Sequence, residues 1–195
     1  ISLEARDTDF AVIKRTLPNG MRVLFYEMSW CNSVTAELWV RSGPRYETEQ
    51  TSGYSHFLEH ILFDGTDKYS TNKDLMRAVE LLEGDLDAYT EKEYTVFKAK
   101  FPAVNTRPAV EFLYDILFKS LLTEHAITRQ RDIINQEIKL RQSSLESYRW
   151  DILLKSVWLR NNPLSRATMG SDQSLAKITR QNLLDFKNSF YKPSN

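Results

Sequence analysis

Thiol chemistry is nearly missing from this chain. Cys31 is its one cysteine, so neither an internal disulfide framework nor a multi-cysteine zinc site can form. No apolar run approaches the ~18 residues that a membrane-spanning helix needs. An excess of one charge is missing too. The 26 Lys+Arg balance 26 Asp+Glu, which leaves no electrostatic footprint for nucleic acid or for an anionic membrane surface. Six glycines and six prolines in 195 residues leave no evident linker, and there is no internal repeat. A hydrophobic fraction of 42% and a charged fraction of 27% are globular values and exclude wholesale disorder. The length suits one domain with one core. Histidine is scarce as well, confined to His56, His60 and His125. A metal site here must therefore be built from histidines and carboxylates. The start at Ile1, without Met or a leader pattern, reads as a processed or trimmed product. A lone cysteine and no visible leader are compatible with a soluble protein of the cytoplasm or the periplasm.

What is present falls into two halves. Residues 10–16 and 21–27 are β-rich runs around Asn19-Gly20, a turn signal because both residues tolerate positive φ. Val34, Ala36, Leu38 and Val40 then alternate with polar or exposed-type residues, which predicts a strand. From Tyr54 the period becomes helical, with Phe57, Leu58, Ile61 and Leu62 on one stripe. A helix over Asn72–Glu83 can be capped by Thr71 and closed by Gly84. Strands are expected at 85–90 and 94–101, and Pro108 suits the first position of a helix reaching about Leu122. Residues 128–158 read as helical with a break near Ser143-Ser144, and 170–190 as a last helix. Strands followed by helices predict an α+β domain, with a mixed or antiparallel sheet and helices packed mainly on one face.

Two histidines stand in His56-Phe57-Leu58-Glu59-His60. On a helix, His56 and His60 share a face one turn apart, and Glu59, three residues after His56, falls on the same side. Two imidazoles on adjacent turns can hold one Zn²⁺, and the carboxylate between them can take a proton from an attacking water. The order is the inverse of His-Glu-x-x-His. The plain alternative is a solvated helix face with two titrating histidines. A catalytic zinc usually has three protein ligands. His125, beside Glu124 in a connection, suits a surface position. Glu137 is the stronger candidate: Ile133, Ile134 and Leu140 surround it at helical spacing, where a carboxylate is expensive unless paired or bound to metal. A buried salt bridge is the alternative reading of Glu137.

These residues, taken together, resemble the pitrilysin/insulinase family of zinc peptidases, which includes the processing peptidases. The resemblance spans nearly the whole chain. It is carried by 17–24, by Gly43–Glu47, by Gly53–His60 with Phe63–Thr66, by Gly84–Thr90, by Arg131–Glu137, and by Gly170, Ile178-Thr179 and Phe190–Asn195. It implies a single amino-terminal catalytic domain over 1–195, zinc held by His56, His60 and Glu137, and Glu59 as general base. It also implies that the strand holding Leu86, Asp87, Ala88 and Tyr89 takes an extended peptide as an added strand, an interior strand being the plain alternative; Phe57, beside His56, can line a side-chain pocket or equally belong to the core. An exposed strand edge suits that role, because its free N–H and C=O groups make little sequence demand.

Two residues depart from the family pattern. Asp87 stands where an Asn is usual, so one hydrogen-bond donor is lost. Gln130 stands where a Glu is frequent, two helical turns before Glu137; it can bond a ligand but adds no negative charge. The resemblance further implies that a second homologous domain or subunit, a homodimer being one form of it, supplies an arginine and a tyrosine and closes a chamber. On that reading the chain stops before its last strand and lacks its paired domain. The expected function is a zinc endopeptidase of extended or unfolded peptides. The alternative is a non-catalytic peptide-binding or scaffolding subunit of the same family.

Overall fold

The structure, a computed structural model, describes residues 12–158 and 162–195. Residues 10 and 11 of the expected first strand lie outside the described residues. Strands β1 (Ile13–Thr16) and β2 (Arg22–Phe25) form an antiparallel hairpin. Gly20, at φ 86°, supplies the positive φ of the Asn-Gly turn between them. Three strands make a second antiparallel sheet: β3 (Ser33–Val40), β4 (Asp85–Thr90) and β5 (Thr95–Pro102), in the order β3-β5-β4. Among the described residues β4 is therefore an edge, paired on one side only.

Pairing alternation explains which sheet face is covered. Val34, Ala36 and Leu38 lie opposite Phe101, Ala99 and Phe97, and this face meets the helices. On the other face Asp85 and Asp87 lie opposite Lys100 and Lys98, cross-strand charge pairs that suit a solvated surface. Val96 belongs to that second face and is nonetheless fully buried. Trp39 and Tyr94, with ring centroids 4.8 Å apart, and Tyr89 beside Tyr94 account for its cover.

Helices α1 (Tyr54–Leu62), α2 (Asn72–Glu80) and α3 (Thr106–Phe118) pack on the covered face. The core joins Phe57, Leu58, Ile61 and Leu62 of α1 to Phe97 and Phe101 of β5 and Phe112 of α3. Phe101 and Phe112 stack at 5.6 Å and 14°. The α+β reading and one-sided helix packing hold. Among the described residues no helix is long and apolar enough to cross a membrane.

Several boundaries differ from expectation for local reasons. Helix α2 ends at Glu80. Glu83 takes the left-handed conformation (φ 54°), and the Gly84 N–H reaches back to the Val79 carbonyl at 3.0 Å. Gly84 is glycine for another reason: a Cβ there would come within 2.1 Å of the Phe101 ring. Helix α3 starts at Thr106, so Pro108 sits inside the first turn, where a missing N–H is tolerated. Helix α4 (Glu124–Ser143) begins earlier than expected, because the Thr123 hydroxyl accepts from the Ala126 N–H. Ser144 then turns extended and separates α4 from α5 (Leu145–Trp158), as the paired serines predict. The expected helix over 170–190 is two: α6 (Asp172–Leu175), with a Ser171/Ser174 capping box, and α7 (Arg180–Phe190), capped by Thr179.

Candidate metal centre

Helix α1 is nearly engulfed: seven of its nine residues are buried, His56 included. Its entry is fixed by a long-range cap. The buried Glu47 carboxylate accepts from the Gly53 and Ser55 N–H groups, each at 2.8 Å. Gly53 itself sits at φ 89°, and a Cβ there would lie 2.7 Å from the Met169 carbonyl oxygen. Ser55 also shares a buried hydroxyl contact with Ser42 at 2.9 Å. This anchoring sets the rotation of α1, and with it the direction of the two imidazoles.

His56 and His60 stand on adjacent turns with ring centroids 4.6 Å apart. Glu137 reaches them from α4. Its Oε2 lies 3.9 Å from His56 Nε2 and 3.5 Å from His60 Nε2. That oxygen is buried and has no hydrogen-bond partner, and His56 Nδ1 is in the same condition. Burial pushes His56 down to about 3, helped by the charges of His60 and Arg141. Burial also lowers His60, against the opposing pull of Glu137 and of the Gln130 side chain. Both shifts favour the neutral imidazole, which weakens the case for Glu137 as a simple counter-ion. Two Nε2 atoms and one orphaned carboxylate oxygen instead converge on one point. Donors bound at 2.0–2.1 Å to a tetrahedral ion lie about 3.4 Å apart, close to the spacings found. The residues fit a divalent cation.

Glu59 is beside this point but engaged differently. Its Oε2 accepts a hydrogen bond from the Thr90 hydroxyl at 2.6 Å. Burial pushes Glu59 up to about 7, with Thr90 opposing and the charges of Glu137 and Asp87 adding. The ligand atoms of His56, Glu59 and His60 also lie within 4.8 Å of one another. The two carboxylates differ in engagement: Glu137 Oε2 is buried without a hydrogen-bond partner, whereas Glu59 Oε2 is held by Thr90. Gln130 is buried and lines the same cleft as His60.

A cleft of about 330 Å³ opens at this point, lined by Glu59, His60, Leu86, Asp87, Ala88 and Gln130 among others. It joins the candidate centre to the β4 edge. Asp87 is exposed, and its Oδ1 accepts from the Ala88 N–H at 2.9 Å. Tyr89 is exposed, while the Leu86 side chain is buried in the core. Phe57 is fully buried in the same core and does not line this cleft. His125 is exposed.

Residues 22–172 match the insulinase family, peptidase family M16. The chain is 37% identical over 176 residues to the beta subunit of the mitochondrial-processing peptidase of Rattus norvegicus, covering 90% of this chain and 35% of the relative. It is 30% identical over 183 residues to the zinc protease YmxG of Bacillus subtilis, covering 93% and 44%. This chain belongs to the insulinase peptidase family. A protease from Helicobacter pylori superposes with a TM-score of 0.88 at 20% identity, over 95% of this chain and 45% of that one. Pitrilysin superposes at 0.83 and 22% identity, over 97% and 20%. These two likenesses establish the fold. The chain spans about a third of the length of the mitochondrial relatives it matches.

Within this insulinase-family domain, sequence reading missed two residues that shape the site. Thr90 ends an edge strand and carries no spacing signal toward Glu59, 31 residues earlier. Glu47 caps α1 from outside the helix, whereas sequence signatures for caps are local. Burial raises the Glu47 pKa, while the hydrogen bonds from Ser55 and Gly53 oppose it. Glu47→Ala orphans two buried N–H groups, and we expect it to cost about 2–3 kcal/mol in urea unfolding. Glu47→Gln keeps one acceptor and is expected to cost about half as much.

Proposed function

We propose that this domain carries the metal-dependent centre of an endopeptidase that cuts extended or unfolded peptides. Zinc would be held by His56, His60 and Glu137, and Glu59 would be the general base. The observation that carries this reading is the convergence of two neutral imidazole nitrogens from α1 and an unpartnered buried carboxylate oxygen from α4. The relative named as a zinc protease supports the choice of ion. When bound, zinc supplies Lewis acidity at a carbonyl and makes a nearby water a nucleophile at neutral pH. The protein's own residues do the rest. Glu59, steadied by Thr90, takes the proton of the attacking water and returns it to the leaving amine. The unpaired side of β4 offers main-chain groups to an extended peptide, and Asp87, at the cleft rim, competes for the Ala88 N–H. A second homologous domain or subunit completes the site; the fraction of its relatives' length that this chain spans supports that arrangement.

The test uses the full chain, purified without chelators. Metal analysis is expected to give one zinc per domain of this kind, and an unfolded polypeptide is expected to be cut. Chelation should stop cleavage and added zinc restore it. Cleavage that continues after complete metal removal would sink the reading.

Thr90 offers a finer test. Thr90→Val removes the donor that holds the Glu59 carboxylate and favours its charged form. Glu59 should then bind its proton more tightly. We expect kcat/KM to fall by about 10-fold and its acid limb to move to higher pH. Thr90→Ser should restore both.

A further inference from the structure

Helix α1 meets the sheet across a largely apolar interface that contains one polar seam. Ser55 and Glu59 stand four residues apart on α1, so they share a face one turn apart. Opposite them are Ser42, just past the end of β3, and the cross-strand pair Thr90 and Thr95, where β4 ends and β5 begins. Ser42, Ser55 and Thr95 are fully buried. Hydroxyls set between apolar layers are costly unless they are hydrogen-bonded.

Here the contacts form a closed circuit. Glu59 Oε2 accepts from the Thr90 hydroxyl at 2.6 Å. Thr90 Oγ1 lies 3.4 Å from Thr95 Oγ1. Thr95 Oγ1 donates to the Ser42 main-chain carbonyl at 3.0 Å. The Ser42 hydroxyl meets the Ser55 hydroxyl at 2.9 Å, and one turn of α1 leads from Ser55 back to Glu59. A hydroxyl has one proton, and that of Thr95 goes to a backbone oxygen, which cannot rotate away. The Thr95 oxygen therefore stands at a fixed place beside Thr90. Thr90 and Glu59 are only half-buried, and Glu59 lines the cleft. Without Thr95 the two side chains would be free to swing together.

We propose that Thr95 is a positioning residue for the general base: through Thr90 it fixes the Glu59 carboxylate relative to His56 and His60. The circuit begins and ends on α1, the helix that carries both imidazoles, so what it sets is the direction of the carboxylate from that helix. The proposal rests on the peptidase reading above, in which Glu59 takes the proton of the attacking water. A seam that merely glued α1 to the sheet would affect stability and leave the chemistry alone.

The test takes the full chain loaded with zinc and follows cleavage of a labelled unfolded polypeptide, with rates expressed per bound zinc. Thr95→Val keeps the side-chain shape and removes the hydroxyl. We expect kcat to fall by about 10-fold, within the 10²-fold that a misplacement of about 1 Å can cost, with KM and zinc content unchanged. Thr95→Ala removes the same hydroxyl with nothing in its place and should give the same fall. Thr95→Ser should restore kcat, although it loses a buried methyl and should unfold at lower urea than wild type. In a Thr90→Val background Thr95→Val should lower kcat no further, because the link through which it acts is gone. Unchanged kcat per zinc in Thr95→Val or Thr95→Ala would overturn the proposal. So would a fall that Thr95→Ser leaves unrepaired, or one repeated in full beside Thr90→Val. Failure of the underlying reading looks different. A Glu59→Gln chain that cuts at the parent rate sinks the peptidase reading and this proposal with it. A dead Glu59→Gln chain beside a Thr95→Val chain at the parent rate sinks this proposal alone.

Discussion

Glu59→Gln is expected to abolish peptide cleavage by the full chain while leaving its zinc content unchanged. A positioned general base contributes about 10²–10⁴-fold, so kcat/KM should drop by about 10³-fold or more. The two parts of this expectation rest on different observations. Glu59 Oε2 is held by Thr90 at 2.6 Å and is not the orphaned oxygen of the site. Removing its charge therefore removes a proton acceptor and leaves His56, His60 and Glu137 in place. Gln is nearly isosteric and keeps an acceptor for the Thr90 hydroxyl, so the local packing survives. Metal analysis and a peptide-cleavage assay on one preparation check both halves. A variant that lost zinc along with activity would mean that Glu59 is a ligand, an arrangement the 4.8 Å cluster of His56, Glu59 and His60 also allows. A variant that cut at the parent rate would remove Glu59 from the mechanism.

The centre was legible in the sequence to the extent that its signals were local. His56, Glu59 and His60 lie within five residues, and helical spacing alone puts them on one side. Glu137 was legible in a different way, as a carboxylate set among apolar residues. The surroundings of Ile133 and Leu140 proved weaker than that pattern implies, since both are exposed, while Ile134 and Ile138 are buried. The convergence of α1 and α4 is a tertiary fact; the apolar setting of Glu137 made it a candidate third ligand, and the family resemblance strengthened that reading. Thr90 and Glu47 were not legible, because their partners lie far along the chain or outside the helix being capped. The boundaries of α4 and α7 moved because Thr123 and Thr179 cap helices whose apolar periodicity does not mark the start. Phe57 shows another limit: its place beside His56 suited a pocket and the core equally, and helical rotation buries it in the core.

Glu137→Gln is expected to change the protein in opposite directions with and without metal. In the zinc-loaded protein it removes an anionic ligand. Zinc affinity should fall by more than the 10–100-fold typical of losing a group that merely supports a ligand, and cleavage should fall with it. In the chelated protein the same substitution should stabilise the fold by about 1 kcal/mol. The reason is that Glu137 Oε2 is buried without a partner, and such a group costs about 1–3 kcal/mol, reduced here because the rest of the side chain is partly exposed. The amide carries no charge and can turn its N–H groups toward the neutral imidazole nitrogens. Burial lowers both histidines, which disfavours the imidazolium that the carboxylate would pair with. Protonating them is also costly: the chelated wild type should lose stability as the pH falls below about 6.5, where unfolded histidine takes up protons that folded His56, at about 3, does not. Urea unfolding of wild type and variant, each with saturating zinc and with chelator, reads all four states. A structural salt bridge between Glu137 and the histidines predicts destabilisation in both conditions, so a variant less stable than wild type in chelator would return Glu137 to that role. A change of sign between the two conditions is what a ligand predicts, because only the cation makes three converging acceptors favourable.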